Sequence, residues 1–225
     1  MLFRSTGLAT ANPYNHLSLN PALCPFLQAS LSGEEREAHT ARWAEVMASY
    51  LAYLDQQRSQ NTELAATLTL LELPNLFALL DHSQAAADPA TSIDRATLLY
   101  GLLQGLGKPR LLERVAGVRD GAAAALGEVW SHAHFQASRT RIEQQWAAGQ
   151  LREALAGAEQ LLQQAQVAGE QAYAGADYDL AMAYWLLGRV LKTAGGAQQA
   201  LPLLQEAGRR FEAIAKERQI GRAHV

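Results

Sequence analysis

The sequence predicts an all-α fold, and three observations carry that prediction. Apolar residues recur at steps of three and four along most of the 225 positions, the period of one helix face. β-Branched and aromatic residues nowhere alternate with polar ones over a useful length, so strand signals are nearly missing. Glycines and prolines such as Gly107, Pro109 and Gly149 fall between periodic segments and cut them into helix-sized pieces.

Taken in order, residues 1–31 hold Pro13, Pro21 and Pro25 among Asn and Ser and read as an irregular lead-in. Ser32-Gly33-Glu34-Glu35 has the spacing of a capping box, in which hydroxyl and carboxylate each satisfy a free backbone N–H. Trp43, Val46, Met47, Tyr50, Leu51 and Leu54 then mark one face of a helix over about 33–58. The apolar run "ELAATLTLLELPNLFALLDHS" contains Pro74, which lacks an N–H, so two short helices or one bent one are expected between 62 and 83. Asp88-Pro89 and Thr91-Ser92 can start the next helix, and Gly107 with Pro109 can end it and start another. Helical spacing continues to Gly149, with weak points at Asp120-Gly121 and Gly127, and further helices are predicted at 150–167, 170–194 and 197–218. These segments divide into divergent helical repeats over 32–128 and better-defined ones over 129–219.

Composition narrows the function classes. Hydrophobic residues make up 49% and charged residues 18%, which favours a folded chain of one or two domains over a disordered one. A net charge of -3 leaves no basic excess to neutralise a phosphate backbone, so nucleic acid is not expected as a partner. The one cysteine, Cys24, cannot form an internal disulfide, which fits a reducing cytoplasm. No apolar run at the start has signal-peptide character, and no uninterrupted apolar window approaches the ~20 residues a membrane crossing requires.

Three chemical motifs fail on inspection. "GLLQGLGKP" crowds Gly105, Gly107 and Lys108 as a phosphate loop would, but Leu102 stands where the loop needs glycine and Pro109 where it needs Ser or Thr; it reads as a helix terminus. His132 and His134 are two positions apart, which on a helix separates them by roughly 200°, whereas a zinc pair needs a spacing of four. Cys24 and His39 lack an orienting acid or an oxyanion site. Accordingly no metal, no cofactor and no enzymatic activity are expected.

From Tyr184 the spacing runs Tyr184, Leu187, Gly188, Leu191, Ala200, Leu204, Ala207. It resembles the tetratricopeptide repeat, which places a large residue, Leu-Gly, an aromatic, then Ala, an aromatic and Ala at those intervals on two antiparallel helices. Leu191 and Leu204 replace the usual aromatics, and no proline closes the second helix. The resemblance implies antiparallel hairpins stacked as an α-solenoid. Gly188 would then face Ala200 where the two helices cross, and Ala207 would admit the next helix. Aligning Gly149 with Gly195 and Ala154 with Ala200 gives a preceding unit that puts Ala158 and Leu161 on its second helix and lacks the Leu-Gly pair. Its offset exceeds the ~34 residues of the standard repeat and resembles the helical-repeat regions that follow the ATPase module of large bacterial signalling proteins. "LELPNLFALLDHS" is similar to a segment that often opens such regions.

Such an architecture implies binding of a protein or peptide. Its concave-facing positions would be Met182, Trp185, Arg189 and Lys192, with Arg139, Glu143 and Trp146 from the preceding unit. Aromatics beside cations can hold an acidic peptide through apolar contact and charge-assisted hydrogen bonds. The alternative is a sensor or regulatory arm of a larger signalling ATPase whose catalytic module lies outside this chain. A small-molecule or peptide-binding enzyme built on helices is a third, weaker reading. The last six residues, IGRAHV, resemble a translated sequencing-library adapter, so 220–225 are expected to be a non-native tail and the native reading frame to continue past Gln219. A solenoid cut there would leave the apolar side of the 197–218 helix partly exposed.

Overall fold

The computed structural model describes residues 8–12, 17–20 and 22–223; the side chains of residues 24, 28 and 218–223 lie outside that description, as do Pro13, Pro21 and the last two residues of IGRAHV. Nine helices and two short strands occur among the described residues. The chain forms two compact units, residues 1–50 and 51–225.

In the first unit, β1 (Ala9–Ala11) and β2 (Leu17–Leu19) pair antiparallel with Ala9 opposite Leu19, Thr10 opposite Ser18 and Ala11 opposite Leu17. At three residues each, these strands are too short to leave an alternation in the sequence, so part of the expected irregular lead-in is a small hairpin. The helix α1 (Leu23–Ser30) follows. Its Pro25 sits in the first turn, where a missing N–H removes no helical bond. The long helix α2 (Gly33–Gln60) starts with the capping box: Glu35 N–H donates to Ser32 Oγ at 3.2 Å, and Ser32 N–H to Glu35 Oε2 at 2.9 Å.

The second unit begins inside α2. Asn61 caps α3 (Thr62–Ala85), its side chain accepting from Leu64 N–H at 3.1 Å. Pro74 neither splits nor ends this helix. Pro74 and Leu70, whose carbonyl loses its partner, are both exposed, so that carbonyl is on the solvent side. By length and composition α3 is also apolar enough to cross a membrane; here Leu68, Leu76, Phe77, Leu79 and Leu80 are buried and the helix packs on α4 (Pro89–Gln104). Asp88 caps α4 through Thr91 N–H, and α5 (Pro109–Ala124) starts where Gly107, at φ +61°, has reversed the chain. The loop at Gly105 to Lys108 is therefore a helix junction. The helix passes through Asp120-Gly121 and ends before Gly127.

Four further helices complete the unit: α6 (His132–Ala147), α7 (Leu151–Ala168), α8 (Ala176–Thr193) and α9 (Ala197–Ala223). The helix expected from 170 begins only at Ala176, because Gly169 and Gly175, both at positive φ, bracket a loop. Consecutive helices pack on one another from α3 to α9, and α4 also packs on α6 and α6 on α8. An apolar cluster lies among α6 to α9, with Phe135, Ile142, Leu161, Leu186 and Val190 nearly inaccessible to solvent.

Candidate functional site

The helix α8 places its residues on two sides. Its apolar stripe, including Leu180, Ala183, Leu186, Leu187 and Val190, is buried, while Trp185 is half-buried and Arg189 and Lys192 are exposed. Facing them, the C-terminal half of α6 carries Glu143 and Trp146, both half-buried. The Arg189 guanidinium lies between two indoles, 4.7 Å from the Trp146 ring centre and 4.6 Å from that of Trp185. Both distances fall within cation–π range, and the rings restrain a long side chain that would otherwise sample many rotamers. One turn before Glu143 on α6, Arg139 pairs with it at 2.9 Å. Of the residues expected on this face, Trp146, Trp185 and Arg189 meet directly. Met182 does not join them: it is 8% exposed and belongs to the apolar core, because its position turns inward with Leu186.

The packing positions explain how α8 and α9 come close. A Cβ on Gly188 would lie 2.8 Å from Cγ and Cδ2 of Leu204 and 3.4 Å from the Ala200 carbonyl oxygen. Ala200 and Ala207 are each 1% exposed. Since α9 packs on α8, Ala207 is buried within this hairpin, where the sequence suggested that it would receive a following helix. Tyr184 and Leu191 cover the same cluster from its edge, Leu187 is buried in it, and Leu201 on α9 is 57% exposed.

A second group of polar side chains escaped the sequence reading. Asp179, in the first turn of α8 and 3% exposed, accepts from the Tyr173 hydroxyl at 2.8 Å and is 2.6 Å from His132 Nδ1 at the start of α6. The hydrogen bond to Asp179 raises the His132 pKa above its ordinary value, with partial burial opposing. Burial first, and then the same carboxylate, pushes the Tyr173 phenol up. Desolvation raises Asp94 on α4, opposed by the charge of His132. His134, two residues on, turns elsewhere: it stacks on Trp130 and bonds Ser131 Oγ and the Gly127 carbonyl. Among the described residues no three His, Cys, Asp or Glu side chains are grouped to hold a metal.

Arg119 on α5 is the other surprise, a guanidinium only 1% exposed. Its Nη2 reaches Gln144 Oε1 at 2.9 Å and Asp120 Oδ1 at 3.1 Å, while Nε and Nη1 are buried without a partner among the described residues. One sequence signal could have found both charged groups. Asp179 shares a helical stripe with Ala183, Leu186 and Val190, and Arg119 follows Val115 by one turn, so each is a charge at a position whose neighbours are core.

Comparison with protein-family models, with curated proteins and with solved structures finds no match for this chain.

Proposed function

We propose that this chain is a non-enzymatic helical-repeat scaffold that binds a protein or peptide partner with acidic groups on the face shared by α6 and α8. The pairs α4/α5, α6/α7 and α8/α9 serve as its repeats, tetratricopeptide-like in the last pair and divergent before it. Two matching turns support this reading. Gly149 and Gly195 both take positive φ. Gln150 N–H bonds the Gln145 carbonyl and Gly196 N–H the Leu191 carbonyl, both at 2.9 Å, and Ala154 and Ala200 are buried at equivalent places one turn later. Packing of α4 on α6 and α6 on α8 is what stacked hairpins require of their first helices.

The observation that carries the functional reading is the Trp146–Arg189–Trp185 stack. It joins neighbouring hairpins, fixes an exposed guanidinium in place and leaves its N–H edge for a carboxylate, with Lys192 exposed farther along α8. The test is fluorescence anisotropy with labelled acidic-tailed peptides. Changing Arg189 and Lys192 together to Ala is expected to weaken binding at least about tenfold, or ~1.4 kcal/mol. An unchanged affinity in that double variant removes the assignment.

A further inference from the structure

Beyond the partner face, we infer that the cavity walled by the C-terminal end of α2, by α4 and by α6 binds a free α-amino acid. The cavity measures about 240 Å³. At roughly 30 Å³ per water molecule it would hold about eight waters, the scale of a small polar metabolite. Asp55 and Arg58 stand on the α2 side, Tyr100 and Gly101 on α4, and Arg139 and Glu143 on α6.

The charges on these walls cancel, and each pair keeps unused bonding capacity. Arg58 Nη2 meets Asp55 Oδ1 at 3.1 Å, and Arg139 Nε meets Glu143 Oε1 at 2.9 Å. Asp55 Oδ2, Glu143 Oε2 and both Nη groups of Arg139 carry no bond to another described residue. A lone anion would approach two carboxylates and a lone cation two guanidinium groups. A zwitterion avoids both conflicts: its carboxylate takes guanidinium N–H groups and its ammonium takes the spare carboxylate oxygens. Thr97, also on the α4 wall, adds a buried hydroxyl with no partner among the described residues.

Gly101 shows that the pocket depends on where Arg58 lies. It is a glycine inside a helix, a choice that costs stability relative to alanine. A Cβ there would fall 2.7 Å from Arg58 Nη1 and 3.1 Å from Cζ, so the missing side chain is the space the guanidinium occupies. Gly101→Ala would evict Arg58 from the wall while removing no charge and favouring the helix.

The test titrates the full 225-residue chain with each standard L-amino acid, and with acetate and ethylammonium as single-charge probes, following melting temperature and calorimetric heat. At least one amino acid is expected to bind saturably, and neither single-charge probe to do so at the same concentrations. Gly101→Ala and Glu143→Gln are each expected to weaken that binding at least about tenfold with the circular dichroism unchanged. Trp185→Ala should leave it intact while acidic-peptide binding falls, which separates this site from the partner face. The proposal is overturned if no amino acid binds, if acetate binds as tightly as the amino acid, or if the Gly101 variant keeps full affinity.

Discussion

Asp179 is a carboxylate placed in the apolar stripe of its helix, and it is tolerated because two donors reach it, the Tyr173 hydroxyl and the His132 ring. The pairing makes stability depend on pH with a definite sign. The folded-state pKa of His132 is raised above its unfolded value near 6.5, so the contribution is complete below about pH 6.5 and is lost as pH rises through the folded value. His132→Ala should therefore cost more in urea denaturation below pH 6.5 than in alkaline solution. With the ring 44% exposed, the difference should be only about 0.5–1 kcal/mol. Asp94, Arg139 and Tyr173 surround the same site and are left in place by that substitution. Arg119 has the opposite logic. Its buried Nε and Nη1 have no hydrogen-bond partner among the described residues, Asp120 is half-exposed and the Tyr100 ring lies 5.7 Å from Cζ, so desolvation is expected to outweigh attraction. Arg119→Met should leave stability unchanged or raise it by ~1–4 kcal/mol, read as a higher urea midpoint; a clear loss would mean that the guanidinium is better satisfied than its hydrogen bonds indicate.

Between elements, the same problem of close helix approach is solved twice with the partners exchanged. In α8/α9 the small residue is on the first helix, Gly188, and Leu204 fills the gap. In α6/α7 the large residue is on the first helix, Ile142, whose Cγ1 would be 3.0 Å from a Cβ on Gly157. This exchange explains why the earlier unit lacks the Leu-Gly pair that made the later one legible: the sequence pattern records one way of dividing a volume that two helices share. Gly188→Ala gains up to ~1 kcal/mol of helix propensity and loses ~1–3 kcal/mol to overpacking, so a net loss is expected. Combining it with Leu204→Ala should restore part of that loss in a double-mutant cycle; strict additivity would show that the two residues do not share the space. Helix boundaries follow local chemistry only in part. Ser32 and Glu35 begin α2 as their spacing predicts, because a capping box is made by neighbours in sequence. Pro74 allows two short helices or one bent one, and α3 is a single helix, because the lost bond falls on an exposed turn and the buried leucines on either side hold the helix.

For the whole molecule, a net charge of -3 gives no general attraction for an acidic peptide, so the proposed partner face would depend on local cations such as Arg189, which two tryptophans hold in place. Acidic-peptide affinity should fall as salt is raised past the physiological range, where the Debye length is about 8 Å; salt-independent binding would mean that apolar contact alone carries it. What the sequence determined by itself was whatever depends on neighbours along the chain: the helical period, the glycine and proline junctions, the capping box and the small residues at one helix crossing. Tertiary structure alone decided what each charged side chain meets. Asp179 and His132, Arg119 and Gln144, Arg58 and Gly101 are separated by 47, 25 and 43 residues, and no local spacing encodes such pairs. The first pair forms because α6 packs on α8 and the second because α5 packs on α6, while Gly101 on α4 meets Arg58 of α2; the exposed and buried faces of these helices had already been set by the apolar stripe.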